Sequence, residues 1–131
     1  MASREIEVIL SRQLADSLSI PVFITDTEGA LIFYNEPAGI LLGRRFEDTG
    51  TMQPGEWTRA FFPQDLEGNP LPPHRLPLVQ TLKDRTPTHD SFWIDSMTGE
   101  RHLLSVTSIP IIGRNNRFLG AMAIFWKTEQ P

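Results

Sequence analysis

The side chains in this chain that could do chemistry are few. Three histidines, His74, His89 and His102, offer ring nitrogens, and Asp65 and Glu67 form an acid pair. A histidine metal site needs two ligands on one face, as at i and i+4 of a helix, and no two of these have that spacing. Surface or capping roles explain all three more simply, and no metal is expected. Asp65 and Glu67 stand in a proline-rich loop, where a solvated turn accounts for them without acid–base work. The chain has no cysteine, which excludes disulfides, thiol nucleophiles, thiolate metal sites and cysteinyl flavin or chromophore adducts. G-x-S-x-G, P-loop, dinucleotide and H-E-x-x-H motifs are absent as well. Trp57, Trp93 and Trp126 could stack on a flavin or nucleotide, but packing in a core or on a sheet is the simpler role for large aromatics.

With so little chemistry on offer, the scaffold carries more of the argument. A length of 131 residues suits one domain with a real core. The 40% hydrophobic and 21% charged content is that of an ordinary globular protein. A net charge of −4 argues against sequence-independent nucleic-acid binding, which needs clustered Lys and Arg. No apolar run approaches a membrane span, and the first ten residues lack a basic region followed by an apolar one. A cytoplasmic protein, or a domain cut from a longer one, is expected.

The stretch from Ile20 to Gly43 organises the chain. PVFIT reads as a strand, Asp26-Thr27-Glu28-Gly29 as a turn and ALIFY as the returning strand. Asn35 is then a helix N-cap, Pro37 fits the first turn, and Gly43 can close the helix in a left-handed conformation. Ahead of this hairpin, residues 3 to 18 have helical period. Ser3 is a possible cap, and Ile6, Ile9, Leu10, Leu14 and Leu18 lie on one stripe. That stripe is expected either to cover the outer face of its own sheet or to pair with a second copy.

Trp57, Phe61 and Phe62 fit a short helical turn near 55 to 62. Five prolines between Pro63 and Pro77 mark a rigid loop, after which a helix restarts and runs to Pro87. The rest reads as three strands: THDSFWIDS, a turn over Met97-Thr98-Gly99-Glu100, RHLLSVTSIPI, a turn over residues 113 to 117, and FLGAMAIFW. The order predicts an α+β domain with a five-stranded antiparallel sheet, helices on one face and an N-terminal amphipathic helix.

In this order and spacing the motifs resemble the PAS domain, a sensory module of signalling proteins, over residues 18 to about 128. ITDTEGALIFYN resembles the signature first hairpin, and Ile40-Leu41-Leu42-Gly43 the end of the helix that follows. LEGNPLPPHRLPLVQTLKDRTP resembles the loop leading into the helix that borders the pocket. SMTGERHLLSVTSIPI and GRNNRFLGAMAIFW resemble the two closing strands. The family's common Asp-Ile-Thr ending is replaced by Trp126-Lys127-Thr128, so either the chain is an excised fragment or it signals by docking. The missing cysteine removes the flavin-photoadduct (LOV) type.

The resemblance divides the chain into a cap or dimerisation helix over residues 1–17 and a PAS domain over 18–131. It implies a pocket between the sheet's inner face and the helices. Ile24, Phe92, Ile94, Leu104, Val106, Met122 and Ile124 are expected to turn inward, facing Leu78 and Leu82. All are apolar, so the pocket is either a filled core or a cavity for an apolar or amphipathic small molecule. Haem is disfavoured, because His74 lies earlier in its helix than an iron ligand would. The outer face is expected to present Leu103, Ile109, Leu119 and Phe125, with Ser105, Thr107, Ala121 and Ala123 between them. It would be covered by Ile6, Ile9, Leu10 and Leu14 of the cap helix or by a second copy. The expected function is that of a non-catalytic sensor or interaction domain of a signalling protein, homodimeric or paired with a partner domain, with no nucleic-acid or membrane role. The competing reading is a small cavity-containing enzyme in the style of ketosteroid isomerases. That needs an acid inside the pocket, whereas Asp95 is expected to point outward.

Overall fold

The computed structural model describes residues 6–60, 62–96 and 98–127. Ser3, Phe61, Met97 and Thr128, which figure in the expectations above, lie outside those residues.

The predicted hairpin forms between β1 (Val22–Thr25) and β2 (Leu31–Tyr34). Asp26 makes the turn: its Oδ1 accepts from the backbone N–H of Glu28 at 2.9 Å and of Ala30 at 3.0 Å. Asn35 caps the next helix, Glu36–Leu42, by accepting from the N–H of Ala38 at 3.1 Å. Gly43 ends that helix at φ +86°, and a Cβ there would run into Thr98, so conformation and space both call for glycine.

Numbered in chain order, the helices are α1 (Ile6–Ser17), α2 (Glu36–Leu42), α3 (Phe46–Thr49), α4 (Pro54–Ala60) and α5 (Pro77–Asp84). The proline-rich segment between α4 and α5 contains isolated bridges from Gln64 to Pro70 and Trp93 and a single 3-10 turn, Pro73–Arg75. Asp65 repeats the device of Asp26, its Oδ1 accepting from the N–H of Glu67 at 3.0 Å and of Asn69 at 2.9 Å. The acid pair is thus a turn, as expected. α5 starts on Pro77, where the missing N–H costs the helix nothing.

Strands β3 (Thr88–Asp95), β4 (Arg101–Ile112) and β5 (Phe118–Lys127) complete one antiparallel sheet in the order β2-β1-β5-β4-β3. The last strand therefore sits between the first hairpin and β4. β1 is buried at every position, and β5 at most of its middle, as strands covered on both faces must be.

The sheet separates two cores. The inner one packs Phe23, Leu78, Phe92, Ile94, Leu104, Val106 and Phe125 beneath α2, α4 and α5. The outer one packs Val22, Ile24, Ile32, Phe33, Ile111 and Met122 beneath Val8 and Ala15 of α1. The register fixes the two sides: Phe23 pairs with Ala123 and Val106 with Phe125 on the inner face, while Ile24 pairs with Met122 and Val22 with Ile124 on the outer.

This corrects the alternation expected for β1 and β5. Ile24, Met122 and Ile124 belong to the outer core, whereas Phe125, Ala121 and Ala123 face inward. Both alternating sets of β5 are apolar, so hydrophobicity cannot choose between them. The small pair Ala121 and Ala123 faces α5, which packs against β5 and β4.

Candidate sensory core and cap-helix surface

The inner chamber closes around a residual cavity of about 20 Å³, lined by Phe23, Leu41, Trp57, Pro63, Leu76, Pro77, Leu78, Phe92, Ile94, Val106 and Phe125. That is little more than the volume one water requires. Of the nine residues expected at a pocket, Leu78, Phe92, Ile94 and Val106 line it. Leu104 and Leu82 pack in the same inner core away from the cavity, and Ile24, Met122 and Ile124 lie across the sheet. Sequence reasoning missed Trp57, which seals the chamber with its ring while its indole N–H donates to the carbonyl of Gly29 at 2.8 Å. A large aromatic just after Gly55, in a helix too short to show a period, was the available signal.

Among the described residues, no ionisable side chain lines the cavity. Asp95 lies on the outer register of β3 and accepts from the Gln64 side-chain amide at 3.1 Å. In this packing a cavity of about 20 Å³ is too small for haem or flavin, and none of the described residues lining it is an iron ligand. His74 stands exposed in the 3-10 turn. His89 pairs with the Thr107 hydroxyl on the outer face at 2.9 Å, its ring 5.9 Å from that of Trp126. His102 is on the inner register beside Ile94, with Nε2 3.7 Å from a Glu100 carboxylate oxygen. Its loss of solvent and the nearby Lys127 together hold its pKa below the usual value, against the pull of Glu100. The described residues contain no group of three His, Asp or Glu that could hold a metal.

On the other side of the sheet, α1 docks with an unexpected face. Val8 and Ala15 are buried, whereas Ile6, Ile9, Leu10 and Leu14 are 62%, 40%, 55% and 54% exposed. Of the two roles expected of the stripe, covering its own sheet falls instead to Val8 and Ala15, with Leu18 alone of the stripe packed against the outer core. Ala15 lets the helix approach closely enough for its carbonyl to accept from the Asn35 side-chain amide at 2.8 Å. Of the residues expected on the outer face, Leu103 and Leu119 are half-buried, Ile109 is 38% exposed, and Phe125 is in the inner core. Among the described residues, no helix is long and apolar enough to cross a membrane.

No family model matches the sequence, and no curated protein does. Solved structures do match. The PAS domain of a Colwellia psychrerythraea protein superposes with a TM-score of 0.63 at 16% identity, covering 95% of this chain and 98% of that one. The PAS domain of Bordetella pertussis BvgS gives 0.61 at 14% identity over 95% and 87%. A Rhodobacter sphaeroides LOV protein gives 0.73 at 13% identity over 96% and 70%. At such identities the likeness speaks for architecture, and together with the sheet order and the capped hairpin it establishes that this chain has the PAS fold.

Proposed function

We propose that this domain is a sensory or interaction module of a cytoplasmic signalling protein and that it works as a homodimer joined through α1. The observation that carries the reading is the stripe of Ile6, Ile9, Leu10 and Leu14, left in water by a helix whose opposite face is already docked. Four large apolar side chains on one exposed helix face are a pairing surface, and a second copy of the same stripe complements it. The inner chamber supports sensing of a small apolar molecule, such as a fatty acid or an aromatic. Its lining is apolar, and a ligand would enter by parting Trp57, Leu76 and Leu78. Such a ligand shifts the output only if it binds two packings of the domain differently.

Sedimentation of the purified protein and of the Leu10→Glu, Leu14→Glu variant tests the dimer. The wild-type chain should sediment at twice the chain mass, and the variant as a folded monomer. A monomeric wild type, or a variant that stays dimeric, would overturn the reading. Native mass spectrometry of the same samples reports a bound ligand as added mass.

A further inference from the structure

Among the described residues, Phe46 is the one partly buried hydrophobic side chain packed against both cores. It opens α3 beside β2, which is the edge strand of the sheet, and there the two faces meet without a strand between them. Toward the outer core its ring meets Phe33 edge-on at 5.4 Å. The Arg12 guanidinium of α1 stands 4.4 Å over Phe33 and 5.7 Å from Phe46. Toward the inner core the ring meets Tyr34 edge-on at 5.4 Å. Tyr34 touches Phe23 at 5.7 Å, and Phe23 touches Phe125 at 4.6 Å. Phe23 and Phe125 both line the cavity. A continuous file of rings thus runs from the chamber, around the sheet edge, to α1.

Tyr34 also holds the segment that carries Phe46. Its hydroxyl donates to the carbonyl of Arg44 at 2.8 Å and lies 3.0 Å from the hydroxyl of Thr49, gripping the chain on both sides of the ring. The central strands, by contrast, are locked to neighbours by backbone ladders on both sides. A repacking of the chamber meets less resistance at a ring held by side chains than at a paired strand, and close-packed side chains pass displacement on.

We propose that Phe46 is a coupling residue: a change of packing in the inner chamber alters the docking of α1 through it, around the β2 edge, rather than through the sheet. The proposal deepens the sensory reading and rests on it for its biological use.

The test needs no ligand. Phe125→Leu perturbs the chamber without touching α1, and amide hydrogen exchange over residues 10–17 reads the docking of α1. In the Phe46 background the substitution should speed that exchange roughly fivefold or more, and in a Phe46→Leu background by less than about twofold. Equal acceleration in both backgrounds would mean that the sheet carries the signal, and no acceleration in the first would mean that there is none. Either result overturns the proposal. Should Phe46→Leu alone leave α1 unprotected, Phe46→Met takes its place under the same two criteria. Repeating the series in the Leu10→Glu, Leu14→Glu chain separates this outcome from the oligomeric state, which the sedimentation mass decides on its own.

Discussion

The side-chain amide nitrogen of Asn35 donates to the backbone carbonyl of Ala15 at 2.8 Å, tying the cap helix to the first hairpin. The same nitrogen donates to the carbonyl of Ile20 at 2.9 Å, and the amide oxygen accepts from the N–H of Val22 at 3.0 Å and of Ala38 at 3.1 Å. One buried side chain thereby spends its whole hydrogen-bonding capacity on α1, the link to β1, β1 itself and α2. Asn35→Asp keeps the oxygen that caps α2 but turns an acceptor toward the two carbonyls. Denaturant unfolding should show a loss of about 3 kcal/mol, and hydrogen exchange should accelerate in α1 more than in α2. Equal acceleration in both helices would deny Asn35 a separate role as the latch of α1.

Gly120 lies where β5 passes β1 with φ +144°, and a Cβ built on it would overlap the carbonyl oxygen of Thr25. Because that neighbour is backbone in a paired strand, it cannot step aside as a side chain would. Gly120→Ala should therefore cost about 3 kcal/mol in thermal or denaturant unfolding, at the upper end of ordinary overpacking. A variant with unchanged stability would mean that β1 and β5 separate more easily than their ladder suggests.

How much of this was legible beforehand depended on whether a residue's neighbours in sequence set its role. Asp26, Pro37 and Gly43 act on backbone within a few residues, as does the bond by which Asn35 caps α2, and their types and spacing announced the turn, the cap, the first helical turn and the stop, whereas the bonds of Asn35 to Ala15, Ile20 and Val22 left no local signal. The facing of Ile24, Met122 and Phe125 was not legible, because a strand buried on both sides shows no alternation and only the cross-strand register assigns its faces. Which of its two expected roles the α1 stripe would take was not legible for a related reason. Helical period identifies the most apolar face, but Val8 and Ala15 won the contact because a small residue lets the backbone reach Asn35. Phe46 carried no signal, since its importance comes from an edge position that only the assembled sheet defines.

His102 makes stability depend on pH, with a definite sign. Desolvation chiefly, then Lys127, lowers its pKa in the folded chain, while Glu100 opposes them, so the unfolded chain takes up the proton first as pH falls. Its contribution is complete above the ordinary histidine pKa of 6.5 and is lost as pH drops through that value toward the depressed folded one. Urea midpoints should decline between about pH 7 and pH 5. In His102→Gln that decline should shrink, measured against the same titration of the wild type. Parallel profiles for the two proteins would assign the acid sensitivity to another group.

The chamber itself can be tested by enlarging it. Phe92 is 4% exposed, lines the cavity and pairs across the sheet with Leu104. Phe92→Ala removes a ring from a lining that is apolar throughout, so the space should stay dry rather than recruit water. The loss of transfer energy and the void should together cost about 4 kcal/mol, and an apolar molecule that fills the void should return part of it. Benzene or indole should therefore raise the melting temperature of Phe92→Ala while leaving the wild type unmoved. If neither compound shifts the variant, the helices have collapsed onto the vacancy and the chamber does not persist as a binding volume. If both proteins respond alike, the compounds bind elsewhere. A rescue confined to the variant would mean that α2, α4 and α5 hold the chamber's shape without the ring, which a ligand-sensing core of this fold requires.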